Sequence, residues 1–112
     1  MRSSSAKAKG RRLAAAVKHL LLKYWPDIPS ADVSVTPSGV TGPDLTFSSR
    51  AMEAIGLTIE CKNQERLNIF KAIKQAESHS GGSPGVPIVF FSRNREDIYI
   101  AMRADPFLKL IR

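Results

Sequence analysis

The most constraining feature of the sequence is a short run, residues 87–92, that is apolar on both faces. It reads PIVFFS and contains no charged residue. An extended chain turns successive side chains to opposite faces, so a strand of this composition needs apolar cover on both sides. We therefore expect an interior strand in a sheet that has helices packed against it.

The other segments predict the elements around this strand. Apolar residues at helical spacing mark a first helix that includes residues 13–24 and a second at residues 65–79, and Asp105 before Pro106 favours the start of a terminal helix. Residues 48–56 are compatible with a helical turn or a hairpin connection. The strands predicted from alternation and β-branched residues are 33–36, 44–47, 57–62, 87–92 and 98–103.

The order of these elements is αβββαββα, which predicts a mixed sheet of about five strands flanked by helices, an α/β or α+β fold. With 112 residues the chain has room for a single domain, and residues 1–6 are expected to be a mobile basic lead. The apolar faces of the first and second helices are predicted to consist of Leu13, Val17, Leu20 and Tyr24, and of Ile69, Phe70, Ile73 and Ala76, respectively.

Positive charge is concentrated at the beginning of the chain. Residues 1–26 contain seven basic residues and no acidic one, and the ten basic residues that follow are balanced by ten acidic ones. The whole net charge of +7 therefore arises there, which favours contact with nucleic acid or an anionic membrane surface. A solvated segment that only aids solubility is the alternative. The candidate nucleic-acid-binding residues are Lys7, Lys9, Arg11, Arg12 and Lys18.

Composition also excludes some classes of protein. The longest uninterrupted apolar run is five residues, far below the ~20 that cross a bilayer, so we expect no membrane-spanning segment. One cysteine cannot build a disulfide framework, which favours a reducing, intracellular (cytoplasmic) setting. Cys61 itself is expected to be a small buried apolar residue, and His19 and His79 are too few for a zinc site.

Acidic and basic side chains share one face of the strand predicted at 57–62. Because side chains alternate along a strand, Glu60 and Lys62 lie on the same face, roughly 6–7 Å apart, and Cys61 lies on the opposite, apolar face. The preceding strand presents Asp44 in the same way. If the two strands are neighbours, Asp44, Glu60 and Lys62 converge on one patch.

Two carboxylates and a lysine on one rigid surface suit a divalent cation. Mg²⁺ takes one or two carboxylates and fills its other positions with water and phosphate, and the backbone carbonyl of Cys61 is a further candidate ligand beside Asp44 and Glu60. A bound water loses its proton more easily, and Lys62 could orient that water. We therefore expect Mg²⁺ as the cofactor, with Mn²⁺ as a substitute and no organic cofactor.

The order and spacing of these residues resemble those of a nuclease superfamily. Gly-Pro-Asp ending at Asp44 is followed, after a gap of fifteen residues, by Glu-Cys-Lys at 60–62, which is similar to the PD-(D/E)XK motif. The stretch from Ser38 to this motif is most similar to Holliday-junction resolvases of the archaeal type and to small phage-encoded endonucleases. The resemblance spans roughly residues 7–103.

This resemblance implies a restriction-endonuclease-like core and metal-dependent hydrolysis of phosphodiester bonds in DNA, selective for a DNA structure such as a four-way junction. It implies that Asp44 and Glu60 bind the metal and that Lys62 assists the attack. Because a chain of this length covers little of a branched junction, we also expect a homodimer that presents two sites.

Three further residues are site candidates by the same resemblance. Related nucleases often carry Gln or Lys near the scissile phosphate on the helix after the motif, which indicates Gln75 and Lys71 here. Resolvases have a serine near the DNA in a flexible loop, which indicates Ser38. The alternatives are a water-facing helix side for Gln75 and Lys71 and an ordinary hairpin turn for Ser38.

The first helix departs from the archaeal resolvases, which carry a metal-binding glutamate there. No acidic residue precedes Asp27, and alanines occupy positions 14–16. Either two carboxylates suffice, or Glu53 or a water molecule completes the site. The missing carboxylate favours an alternative function, a non-catalytic nucleic-acid-binding module on a nuclease fold.

Overall fold

The computed structural model describes residues 4–80 and 84–112. In these ranges the chain forms four α-helices and five strands, joined by loops and one short 3-10 turn. The elements are α1 (Ser4–Tyr24), β1 (Val33–Val35), β2 (Leu45–Phe47), α2 (Ser49–Ile55), β3 (Leu57–Asn63), α3 (Ile69–His79), β4 (Val86–Ser92), β5 (Tyr99–Ala101) and α4 (Ala104–Ile111). Because α1 begins at Ser4, the second half of the lead expected at 1–6 is helical, and residues 1–3 lie outside the described residues.

The strands form two sheets, which confirms an α/β architecture and corrects the single five-stranded sheet predicted from the sequence. One sheet pairs β1 with β2 in antiparallel fashion, and the other has the order β3-β4-β5, with β3 and β4 parallel and β5 antiparallel. The two sheets meet where the backbone N–H of Asp44 donates to the carbonyl of Ile59 at 2.9 Å. Beyond that point the carbonyl of Asp44 accepts from Thr36, so its strand pairs with β1 instead of extending the larger sheet.

Helices cover both faces of the three-stranded sheet. Ile88, Val89 and Phe90 of β4 are all buried, as expected for an interior strand. Ile88 and Phe90 belong to the core that α1 covers, and Val89 packs with Ala72 and Ala76 of α3. The layer of α3 also covers the polar face of β3, where Thr58 and Glu60 are buried.

The buried faces of the two long helices are rotated relative to the predicted ones. On α1 the buried residues are Leu13, Ala14, Val17 and Leu21, whereas Tyr24 is 67% exposed. On α3 small residues face the sheet, and Phe70 is 75% exposed. Apolar spacing alone favoured the large side chains, but close packing of a helix on a sheet selects the small ones.

Local capping fixes the bounds of the shorter elements. Ser48 accepts a hydrogen bond from the Ala51 N–H and caps α2, so the segment 48–56 is a helix with its two caps rather than a hairpin connection. Asn68 accepts from the Lys71 N–H, which begins α3 four residues later than predicted. The terminal helix begins at Ala104, so Asp105 lies within its first turn rather than at the cap.

In the part of the chain that the structure describes, no helix combines the length and the apolar character needed to cross a membrane.

Candidate active site

Backbone and side-chain hydrogen bonds fix Asp44 against β3. Gly42 precedes it with φ of 130°, a conformation that favours glycine, and the turn brings Asp44 beside the strand. Its N–H donates to Ile59, and its Oδ2 accepts from the N–H of Cys61 at 2.7 Å. The carboxylate is therefore held at the level of Glu60 and Lys62.

Glu60 lies in the middle of β3 with two cationic or hydrogen-bonding partners. Glu60 is only 3% exposed. The Nζ atom of Lys62 lies 3.5 Å from Oε2 of Glu60, and Nδ1 of His79 lies 3.0 Å from Oε1. An ionised carboxylate only accepts, so in the ionised state of Glu60 His79 donates to it through Nδ1–H. Both oxygens of this buried carboxylate are thus oriented by neighbouring side chains.

The pKa values of both carboxyl groups are raised. Burial raises the pKa of Asp44, against the opposing effects of the Cys61 N–H and of Lys62 and His79. Burial also raises the pKa of Glu60, and the negative charge of Asp44 raises it further. Two partly desolvated carboxylates, one of which raises the pKa of the other, are an arrangement that a bound cation stabilises.

Cys61 lies between Glu60 and Lys62 in β3, but its side chain points to the opposite face of the sheet. Its side chain is buried in the core under α1, and burial raises the pKa of its thiol. A thiol held in its neutral form is a poor nucleophile and a poor metal ligand. The contribution of Cys61 to the site is therefore that of its backbone.

The carboxylates face a cleft between β3, α1 and the loop after β1. The cleft has a volume of about 350 Å³. Lys7 and Arg11 line it from α1, one turn apart, together with the small residues Gly10 and Ala14. Nη1 of Arg11 donates to Oγ of Ser38 at 3.2 Å and so links α1 to the loop. This cleft brings together the predicted residues Asp44, Glu60, Lys62 and Gln75 with Lys7, Arg11 and Ser38.

A smaller depression of about 260 Å³ continues from the cleft along α3. Lys71 lines this depression, while Gln64, Lys62 and Gln75 line both the depression and the cleft. Lys71 and Gln75 therefore lie on the side of α3 that adjoins the carboxylates, rather than on a side remote from them.

Several predicted residues lie elsewhere. Lys9, Arg12 and Lys18 are not among the described residues that line the cleft, because they occupy other sides of α1. Glu53 does not complete the site, because it is exposed on α2 and lines a different depression. Among the described residues of α1, those that line the cleft carry no carboxylate.

His79 and Asn63 are site residues that sequence reasoning missed. His79 follows Gln75 by one helical turn, and this spacing on a helix after the motif is the signal that could have found it. Asn63 lines the cleft, and its buried Oδ1 has no hydrogen-bond partner among the described residues. It leaves an acceptor available at the wall of the cleft.

The donor set fits Mg²⁺. Among the described residues no three His, Cys, Asp or Glu side chains cluster around one point, which disfavours a site made of protein ligands alone. Mg²⁺ needs only one or two carboxylates, because water and phosphate oxygens complete its shell. Asp44 and Glu60, whose ionised forms are both disfavoured by burial, meet that requirement.

Comparisons with protein-family models, with curated proteins and with solved structures found no match for this chain.

Proposed function

We propose that this protein is a metal-dependent endonuclease that hydrolyses phosphodiester bonds in DNA and selects its substrate by structure, as Holliday-junction resolvases do. The observation that carries the proposal is that Asp44, Glu60 and Lys62 lie in one cleft, with Lys7 and Arg11 on its α1 side. Carboxylates for a metal and cations for phosphates are thus next to each other. The PD-(D/E)XK resemblance supports the same reading.

Asp44, Glu60 and the backbone carbonyl of Cys61 would hold Mg²⁺, or Mn²⁺ in its place. When bound there, the ion supplies a water molecule of lowered pKa as a nucleophile near neutral pH. The hydrogen bond from Cys61 N–H and the contact with His79 hold the two carboxylates in fixed orientations before any ligand binds. Such preorganisation reduces the cost of forming the site.

Lys62 and Gln75 act on the phosphate and the attacking water. The ammonium group of Lys62 is partly exposed to the cleft and offsets negative charge that develops on the phosphoryl oxygens. Gln75 lines the same cleft from α3 and offers a neutral donor to a phosphate oxygen. These roles require short, fixed distances, which a strand and a helix of the core supply.

The positive charge of α1 binds the DNA backbone. Lys7 and Arg11 line the cleft, and Ser38 connects Arg11 to the opposite wall. Lys71 extends the basic surface along α3. Contacts of this kind fix the register of DNA on the protein and carry no sequence information, which agrees with selection by structure.

The test is cleavage of labelled DNA by the purified protein in Mg²⁺. The panel contains a four-way junction, a flap, a nicked duplex and a plain duplex. We expect Asp44→Ala and Lys62→Ala to abolish cleavage and to leave DNA binding nearly unchanged, whereas Asp105→Ala, which removes an exposed carboxylate on α4, keeps full activity. Normal cleavage by both site variants contradicts the proposal.

A non-catalytic DNA-binding module is the second candidate. It is favoured by Gly10 and Ala14, which line the cleft at the positions where α1 could supply a third carboxylate. Calorimetric titration with Mn²⁺ separates the two functions. If the protein is an endonuclease, the wild type binds Mn²⁺ and Asp44→Ala does not. If it is a binding module, the wild type and Asp44→Ala give the same titration.

We further propose that the protein acts as a homodimer, so that two clefts reach two strands of a branched substrate. Light scattering coupled to size exclusion, at the concentrations used for cleavage, tests this state. A monomer that cuts a four-way junction symmetrically contradicts it.

A further inference from the structure

A second pocket of about 480 Å³ opens beside the cleft, at the end of the three-stranded sheet. We call it the aromatic pocket, because Phe91 and Tyr99 line it together with Leu67. Gln64, which follows β3, lines both this pocket and the cleft. Parallel strands place ligand sites outside their carboxyl ends, and both openings lie at the carboxyl ends of β3 and β4.

Strand register gives the distance between the two openings. Lys62 pairs with Phe91, and Phe91 pairs with Tyr99, so the three side chains follow one another across the sheet on one face. Neighbouring strands lie ~4.8 Å apart, which places Tyr99 roughly 10 Å from Lys62. A nucleotide whose phosphate contacts Lys62 can therefore bring a neighbouring base to Tyr99.

The walls of the aromatic pocket suit a flat, neutral ring. Tyr99 is 52% exposed and its ring stacks at a tilt of 31° on Phe91, with 5.9 Å between ring centroids. A half-exposed aromatic ring with a partly buried one behind it is a rigid stacking surface for a base. Leu67 completes an apolar lining at the inner side.

The charged residues of the rim disfavour a phosphate in the same place. Glu96 is paired with Arg93 at 3.7 Å, which neutralises the cation, and Glu65 accepts from the N–H of Asn94 at 2.8 Å. The remaining carboxylate oxygens repel phosphate and accept hydrogen bonds from the amino groups of a base. The geometry and the charge together indicate a base as the ligand.

We propose that the aromatic pocket holds one unpaired base of the DNA next to the phosphate that is cut. This inference rests on the proposed function and names the substrate class, which is DNA with an unpaired nucleotide at the cutting point. Removing a base from a duplex costs stacking and pairing energy, and that cost is smallest for a nucleotide that is already unpaired. The pocket thus favours bulged, gapped or branched DNA over uniform duplex.

The test measures binding without metal, so that it does not depend on cleavage. Fluorescence anisotropy compares a duplex with the same duplex carrying one bulged nucleotide, in EDTA. Stacking of one base supplies roughly a 5- to 150-fold preference, and we expect the wild type to prefer the bulged duplex by a factor in this range. Tyr99→Ala loses the preference and keeps its affinity for plain duplex, which also shows that it is folded, while Tyr99→Phe retains the preference.

Tyr24→Ala is the matched control, because Tyr24 is exposed on α1 and does not line the pocket. A 2-aminopurine at the bulged position reports stacking directly in the wild-type protein, and we expect its fluorescence to fall on binding. The inference is overturned if the 2-aminopurine fluorescence does not change or if the wild type shows no preference for the bulged duplex. It is also overturned if Tyr99→Ala keeps that preference, or if the oligomeric state is the only property in which Tyr99→Ala differs from the wild type. A wild type that shows the preference but never cuts DNA contradicts the proposed function and leaves the pocket assignment standing.

Discussion

Replacing Lys62 by Met should destabilise the protein in a way that depends on the ionisation of Glu60. The Nζ–Oε2 distance of 3.5 Å corresponds to a Coulomb energy of about 5 kcal/mol at an effective dielectric constant of about 20. Lys62 is 19% exposed and Glu60 keeps its contact with His79, so only part of this energy is lost. We expect the free energy of unfolding at pH 7.5 to fall by about 2–3 kcal/mol, somewhat less than for a fully broken buried pair.

The pH dependence identifies the cause. The pKa of Glu60 is already above its ordinary value because of burial and of Asp44, and removing Lys62 raises it further. A carboxyl group with a raised pKa in the folded state destabilises the fold as the pH rises above the ordinary value of 4.5. Below that pH Glu60 is neutral in both proteins, so the difference between Lys62→Met and wild type should shrink towards zero at pH 4.

Urea unfolding at pH 4 and pH 7.5 measures both values. Lys109→Met is the matched control, since Nζ of Lys109 lies 3.4 Å from Asp105 but both side chains are more than 70% exposed, and its cost should stay within about 0.5 kcal/mol. Adding Glu60→Gln to Lys62→Met should recover most of the lost stability. A cost that is equal at both pH values, or one that Glu60→Gln does not reverse, refutes the reasoning.

Four other substitutions test single features of the structure. Cys61→Ala should retain cleavage, measured on the best DNA of the panel, because the side chain of Cys61 is buried in the core and its backbone N–H makes the contact with Asp44. Gly85→Ala should lower the free energy of unfolding in urea by about 1–3 kcal/mol, because its Cβ would lie 2.8 Å from the backbone of β3. Lys7→Gln and Arg11→Gln should each lower the number of counterions released on DNA binding by about one, measured from the slope of log affinity against log salt concentration. Arg12→Gln should lower it by less, because Arg12 lies outside the cleft.

Alternation along strands accounts for the part of the site that the sequence predicted. Glu60 and Lys62 share a face of β3 because they are two positions apart, and side chains two positions apart in a strand point to the same face in any sheet. The proximity of Asp44 was conditional on β2 lying beside β3. The structure meets this condition through one backbone contact from Asp44 to Ile59, although the ladder does not continue.

The rotation of α1 about its own axis decides which of its basic residues line the cleft, and the sequence did not predict it. Lys7 and Arg11 line the cleft while Lys9 does not, because the buried face of α1 includes Ala14 and Leu21 rather than Tyr24. Which side of a helix packs on a sheet depends on the fit of small residues, and hydrophobic spacing does not report that fit.

His79 is a similar case. It lies nineteen residues from Glu60, and their contact requires the last turn of α3 to cross the middle of β3. The register between a helix and a strand follows from the length of the connecting loop and from the capping residue Asn68, which starts the helix four residues later than the periodicity indicates. A histidine without a neighbouring ligand in sequence therefore gave no prediction of its role.

The number of carboxylates in the cleft leads to a prediction that separates the two candidate functions. Gly10 lines the cleft, and a Cβ placed on it meets no atom of the described residues within 4 Å, so α1 has space for a longer side chain there. Gly10→Glu would add a third carboxylate and Gly10→Gln a neutral side chain of the same size, and both should stabilise the helix by about 0.5–1 kcal/mol. If Asp44 and Glu60 bind a cation, Gly10→Glu should raise the Mn²⁺ affinity by about tenfold over Gly10→Gln in calorimetry, a difference of about 1.4 kcal/mol. Equal affinities for the two variants would mean that the cation does not lie between α1 and β3, and the metal-dependent chemistry proposed for this cleft would lose its basis.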